Sequence, residues 1–280
     1  MTESTHDSTP AAGYTLVSFH AHPDDEALYT GGTLARCASE GHRVVVVTAT
    51  AGDRGLTGGD TDTGDDLAAT RLAELERATK LLGVHRVVTL GYGDSGLDGA
   101  APPPPGSFCA ADAEEAARRL AEVLVEERAD VLTTYDAAGG YGHRDHVRVH
   151  EVGARAAALA GTPVVLEATV AREPLQRGLR LLNLLRIRPG GMTSADFAHS
   201  YRSRGEITHE IDVRAWVPAK RRALAAHASQ TTGGADVRTV ALLSRLPLPL
   251  ARRVLGREWF VQAGRASAAR PSGDVFASLR

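Results

Sequence analysis

A chain of 280 residues with 43% hydrophobic and 24% charged residues is long enough to bury a real core and has the composition of an ordinary soluble globular protein. Its formal net charge of −2 gives no basic surface for nucleic acid or an anionic membrane, and no apolar run approaches the roughly 20 residues of a membrane span. The two cysteines, Cys37 and Cys109, lack CxxC spacing, and the polar start MTESTHDSTPAAGY lacks a signal-peptide pattern, so a reduced, cytoplasmic protein is expected, without a disulfide framework or thiolate zinc site.

In chain order, residues 1–13 read as a disordered tail, and YTLVSFHA (14–21) as a first strand running into a polar turn at His22–Asp25. A helix is expected over 26–40, closed by Gly41. RVVVVTAT (43–50) is a continuous β-branched run, the mark of a strand buried on both faces. A loop rich in glycine and aspartate follows, then a helix over 68–82 with Leu72, Leu75, Ala78 and Leu82 at helical spacing, ended by Gly83. HRVVTLGY (85–92) is a third strand, followed by a long loop containing four consecutive prolines.

An amphipathic helix over 112–128, a strand ADVLTTYD (129–136), a helix over 146–160 and a strand TPVVLEATVA (162–171) continue the alternation. Strands alternating with helices of this length imply an α/β fold with a mostly parallel sheet covered by helices on both faces. Beyond residue 171 the pattern loosens. A smaller C-terminal portion over 172–280 is expected to complete a substrate cleft, with a helix near 218–229. Two apolar segments with interspersed arginines, 179–187 and 242–256, fit core packing, a lid or an oligomer interface better than lipid contact.

Ligand sites in open parallel sheets lie at the carboxyl ends of the strands. The densest clusters of ionisable residues fall at two such places: His22-Pro23-Asp24-Asp25-Glu26 after the first strand, and Tyr141-Gly142-His143-Arg144-Asp145-His146 after the fourth. Two histidines and a carboxylate converging from separate loops form a set with open positions for water, the arrangement of a catalytic metal site. An aspartate before a helix is also an ordinary N-cap, and a single loop histidine is usually a surface residue. Two adjacent acids where a dinucleotide fold needs glycines would repel a pyrophosphate, which excludes NAD or ATP at that junction. His150, one turn after His146, reads as a structural or solvent-facing residue.

The segments AHPDDEALYTGGTLA (21–35) and GGYGHRDHVRVHE (139–151) resemble the two signature motifs of the PIG-L/LmbE-like de-N-acetylases. The likeness covers about residues 14–165, with a weaker echo in PAKRRALAAHASQ (218–230). It implies a Rossmann-like catalytic domain over 14–171 and a zinc- or ferrous-iron-dependent hydrolase that removes an acetyl group from an N-acetylglucosamine-type conjugate. The partner implied is that small amino-sugar conjugate, with no stable membrane insertion, and an oligomer is compatible with the sequence.

By matching position, the resemblance places metal ligands at His22, Asp25 and His146, and the general base at Asp24. It gives His143 the tetrahedral intermediate and the departing amine, with Asp145 orienting His143 and Tyr141 polarising the amide carbonyl. Asp53, Arg71 and Asp94 match positions that contact sugar or cyclitol hydroxyls. Many relatives carry a glutamate where this chain reads GDRG (52–55), and Arg71 could equally be a helix residue paired with Glu74. An amidase acting on a thiol conjugate, and a non-catalytic carbohydrate-binding protein on the same scaffold, are the alternative readings; the intact Asp24 speaks against the second.

Overall fold

The computed structural model of the chain describes residues 13–54, 65–96, 101–184, 200–230, 239–267 and 270–280. Most of the expected tail, part of the loop after the second strand, and residues 185–187 of the first apolar segment lie outside these. Seven strands form one sheet in the order β3-β2-β1-β4-β5-β7-β6: β1 is Thr15–His20, β2 Arg43–Thr50, β3 Arg86–Tyr92, β4 Val131–Tyr135, β5 Val164–Thr169, β6 His209–Asp212 and β7 Arg257–Gln262. The first five are parallel, as their alternation with helices requires, while β7 pairs antiparallel with both β5 and β6. The expected parallel sheet is present, and the C-terminal portion adds two antiparallel strands that the sequence pattern did not announce.

The centre of the sheet is dry. Leu16, Val17, Phe19, Val44 to Val47, Val131 and Leu132 are all 0% exposed, so β1, β2 and β4 are covered on both faces, as the unbroken apolar run of β2 predicts for that strand. Helix α1 (Gly31–Ser39) packs on α2 (Asp65–Leu82) and on α6 (Val217–Ala226), whereas α3 (Ala113–Glu126) packs on α4 (Arg144–Ala160). Asp112 caps α3, its Oδ1 accepting from the amides of Glu114 at 2.7 Å and Glu115 at 3.1 Å. Gly153 lets α4 approach β4: a Cβ there would stand 2.3 Å from the Thr134 side chain.

The helix expected over 26–40 is in two parts, a π-helical turn at Glu26–Thr30 followed by α1. Such wide turns are frequent at functional sites, and this one begins beside the His22–Asp25 cluster. The remaining helices are α5 (Arg172–Leu184), α7 (Thr239–Arg245) and α8 (Leu248–Val254), the last carrying half-exposed Leu250 and Val254. Among the described residues no helix is long and apolar enough to cross a membrane.

The C-terminal portion is tied to the first helix by Glu258, which also forms a buried ion pair within that portion. Glu258 on β7 accepts from the amides of Gly32 (2.8 Å) and Thr33 (2.7 Å) and from Lys220 Nζ on α6 (2.5 Å), with Glu258 and Lys220 each 2% exposed. A carboxylate at a helix N-terminus satisfies amides that have no partner within the helix and faces the positive end of its dipole.

Candidate metal centre and active site

Strand order reverses between β1 and β4, and the two ionisable clusters leave the sheet at the carboxyl ends of these neighbouring strands. Asp136, just after β4, folds the glycine-rich loop by accepting from the amides of Ala138 (3.0 Å) and Gly140 (3.1 Å) and from Thr169 Oγ1 (2.6 Å). The chain then enters α4 with His143 as its N-cap, Nδ1 accepting from the Asp145 amide at 3.1 Å. That contact leaves Nε2 to carry the proton of the neutral ring.

The histidines converge. Ring centroids of His22 and His143 are 4.8 Å apart, those of His22 and His146 5.6 Å, and those of His143 and His146 5.1 Å. Potential ligand atoms of His22, His143 and His146 lie within 4.8 Å of one another, and so do those of His22, Asp94, His143 and Asp145. Asp25 joins the two loops: its Oδ2 is 3.3 Å from His22 Nδ1 and 3.3 Å from His146 Nε2. The same Oδ2 accepts from the His22 amide at 3.0 Å, which fixes the turn after β1.

The donor set suits a divalent cation. His146 is fully buried, and neither of its ring nitrogens makes a hydrogen bond. Carboxylates of Asp25, Asp94 and Asp145 face His22 at 3.3, 3.5 and 3.2 Å. Burial alone would depress the His22 pKa, but these three acids hold it well above its ordinary value. Burial would likewise raise Asp25, and His146 and His22 instead hold it well below the carboxylate range. Of the candidate donors, His143 Nδ1 is engaged by the α4 cap. Asp145 takes the Ser95 amide at 2.9 Å and Cys109 Sγ at 3.1 Å, and Asp94 takes the Gly96 amide at 2.8 Å. His22 Nε2 is engaged by Asp145 at 3.2 Å and Asp25 Oδ2 by the His22 amide at 3.0 Å, so His146 is the donor of this cluster with neither ring nitrogen hydrogen-bonded.

Asp24 sits beside this cluster in a backbone conformation with φ of 108°, which side chains other than glycine rarely adopt and which concentrates at functional sites. Burial pushes its pKa up to about 6, against the pull of the Arg71 guanidinium 3.4 Å away. A carboxylate tuned there can accept and return a proton near neutral pH. His143 is lowered to about 4 by burial and by the neighbouring His22 and His146.

Other expected residues are placed differently from one another. Tyr141 is 45% exposed and stands edge-on to His143 and His146, at 6.1 and 5.1 Å between centroids. Asp145 meets His143 through its backbone amide, its carboxylate being turned to His22, so it does not orient His143 as a carboxylate partner. Asp94 faces the cluster, whereas Asp53 stands behind it and accepts from the Asp94 amide at 2.8 Å. Arg71 is buried and donates to the carbonyls of Gly52 (2.8 Å) and Pro23 (2.6 Å). Gly52, with φ of 68°, admits it, since a Cβ there would stand 2.3 Å from Arg71 Nη1. Glu74, the alternative partner of Arg71, accepts from Ser229 instead, and His150 turns to Tyr135 O at 3.2 Å and Glu167 at 3.5 Å.

Sequence reasoning missed Cys109, Ser95, Tyr135 and His227. The first two come from the proline-rich loop region, and Tyr135 stacks on His146 at 4.4 Å. His227 had a signal, its place in the 218–230 echo.

Comparison with known proteins identifies a family and a fold. The profile of the family described as PIG-L, GlcNAc-PI de-N-acetylase, matches residues 17–157. The chain is 41% identical to a 1D-myo-inositol 2-acetamido-2-deoxy-alpha-D-glucopyranoside deacetylase of Streptomyces griseus, over 77% of this chain and 74% of that one. It is 39% identical to the enzyme of the same name from Actinosynnema mirum, over 94% and 96%. Among solved structures, N,N'-diacetylchitobiose deacetylase from Pyrococcus horikoshii superposes with a TM-score of 0.61 at 20% identity, over 89% of this chain and 83% of that one, a likeness of fold.

Proposed function

The chain belongs to the PIG-L family of GlcNAc-PI de-N-acetylases, and on that premise we propose that it hydrolyses the acetamide of N-acetylglucosamine joined to a cyclitol, releasing acetate and a free amine. The inositol glycoside named for the 41% and 39% identical relatives is the preferred substrate in this reading. The observation that carries it is the partly buried Asp24, raised to about 6 and standing next to Asp25, whose Oδ2 lies 3.3 Å from both His22 and His146.

His22, Asp25 and His146 would hold the cation. Two imidazoles and one carboxylate favour zinc, with ferrous iron as the competing occupant. When bound, a divalent cation supplies electrophilic help to the amide carbonyl and acidifies the attacking water. The rest is done by this chain's own groups. Asp24 takes the proton of the attacking water, and its pKa near neutrality lets it pass that proton to the amine as the C–N bond breaks. His143, neutral and carrying its hydrogen on Nε2, suits donation to the negative oxygen of the tetrahedral intermediate. Tyr141, half-exposed over the histidines, is placed to add a second donor.

The test is release of free amine and acetate by the metal-reconstituted protein from four substrates. These are N-acetylglucosaminyl inositol, free N-acetylglucosamine, an acetyl-lysine peptide and a cysteine-amide conjugate. Preference for the inositol glycoside is expected, and preference for the peptide or the conjugate would refute the sugar reading.

A further inference from the structure

The backbone of Asp24 is held at both ends. Its carbonyl accepts from the amides of Ala27 and Leu28, each at 3.1 Å, which closes the start of the π-helical turn. Its own amide donates to Glu26 Oε2 at 2.9 Å, two residues ahead. Between these bonds lies the φ of 108°, so the direction in which the Asp24 carboxylate leaves the chain depends on a conformation that the residue would not choose unaided.

Glu26 is an unusual clamp, because its carboxylate is 0% exposed. A buried carboxylate is stable only with good partners on both oxygens. The other oxygen, Oε1, accepts from His227 Nε2 at 2.7 Å, and His227 is also 0% exposed. His227 closes α6 and begins the short 3₁₀ turn Ala228–Gln230. Its neighbour Ser229 is fixed to Glu74 of α2 through its amide (2.8 Å) and its hydroxyl (2.6 Å). A line of short bonds therefore runs from the C-terminal portion, through Glu26, to the amide of the proposed base.

We propose that Glu26 and His227 are positioning residues for catalysis: Glu26 clamps the Asp24 amide in its positive-φ conformation, and His227 locks Glu26 in place from α6. Neither touches the substrate or the cation. This rests on Asp24 acting as the base, so the experiment has one readout that needs no activity.

Glu26→Ala, His227→Leu and His227→Gln are compared with the wild-type holoenzyme, by residue-resolved amide hydrogen exchange and by steady-state deacetylation of N-acetylglucosaminyl inositol. In Glu26→Ala and His227→Leu the Asp24 amide should exchange at least about 10-fold faster, while amides of the central strands keep their protection. In the same variants kcat should fall about 10- to 100-fold, with KM and metal content within about two-fold of wild type. Gln at 227 keeps a side-chain N–H donor and should recover kcat to within about five-fold of wild type. Unchanged protection of the Asp24 amide, or a kcat within two-fold of wild type in both disruptive variants, would overturn the proposal. Faster exchange throughout the protein, or a rise in KM without loss of kcat, would overturn it too, by showing a general structural role or a substrate contact. If the wild-type protein deacetylates nothing while the Asp24 amide responds as expected, the assigned reaction fails and the clamp stands.

Discussion

Asp25 Oδ2 and His146 Nε2 stand 3.3 Å apart in the buried cluster, and His146 has no hydrogen bond on either ring nitrogen. A buried polar atom without a partner is costly, and a cation between carboxylate and imidazole would satisfy both. His146→Ala should therefore lower affinity for the metal by at least about 10-fold, read as metal per chain after equilibrium dialysis. Wild-type protein should gain about 2–3 kcal/mol against unfolding when free metal is about 100 times its dissociation constant, and the variant at the same free metal at least about 1.3 kcal/mol less. Undiminished affinity in His146→Ala would shift the ligand assignment to His143.

Asp24→Asn separates binding from chemistry. An amide has the shape of the carboxylate but cannot take a proton from water, so kcat should drop by about 10²- to 10⁴-fold. Metal content and KM should stay near wild type, because the ligands and the sugar contacts are intact. A near-normal kcat would remove Asp24 from the base role.

The Lys220–Glu258 pair predicts a stability effect far from the chemistry. Both side chains are 2% exposed, and Glu258 also satisfies the first amides of α1. Glu258→Ala leaves a buried ammonium without its partner and should cost about 3–5 kcal/mol in chemical unfolding. Lys220→Met combined with Glu258→Gln removes the stranded charge and should recover part of that loss. A cost below about 1 kcal/mol for Glu258→Ala would show that the pair is solvated.

His209 gives the protein an acid-sensitive stability. Burial, reinforced by Arg265 and partly opposed by Asp274, lowers its pKa from 6.5 to about 4. The folded state thus favours the neutral ring, and the unfolded chain binds more protons throughout the window between these values. Stability contributed by the neutral ring is present above pH 6.5, falls as pH drops through the window and levels off below about 4. Between pH 7 and pH 5 the loss should be about 1–2 kcal/mol. His209→Gln should lose less stability over the same interval, and identical pH dependence of urea unfolding in variant and wild type would exclude His209 as the source.

The parallel half of the fold was legible because short apolar strands alternate with helices, and because β2 is a β-branched run: Val44 to Val47 need both faces covered, which a central parallel strand offers. The cluster was legible because HPDDE and GHRDH fall at strand ends. Strands β6 and β7 were not legible, since HEID and REWFVQ are short, charged segments whose strand character depends on pairing with β5. Partners such as His227 with Glu26, 201 residues apart, depend on packing between α6 and the first loop, which no local pattern encodes.

The last prediction concerns Arg71, which the family resemblance assigns to the sugar. Its two terminal nitrogens donate to Gly52 O and Pro23 O, and Nη2 is 3.4 Å from Asp24 Oδ2. A guanidinium so engaged has little left for a hydroxyl, and its geometric effect falls on the loop that carries the base. Lysine cannot reproduce a planar fork that spans two carbonyls from one side chain. Arg71→Lys should therefore lower kcat by about 10- to 100-fold while KM for N-acetylglucosaminyl inositol changes by less than about three-fold. Asp94→Ala offers the contrast, because its carboxylate faces the cluster and its loss should appear mainly in KM and in weakened preference for the glycoside over simple acetamides. Michaelis parameters for both variants on the glycoside and on acetamide decide between the roles. A rise in KM alone for Arg71→Lys, with kcat preserved, would return Arg71 to the substrate and leave Asp24 to be held by the Glu26 clamp.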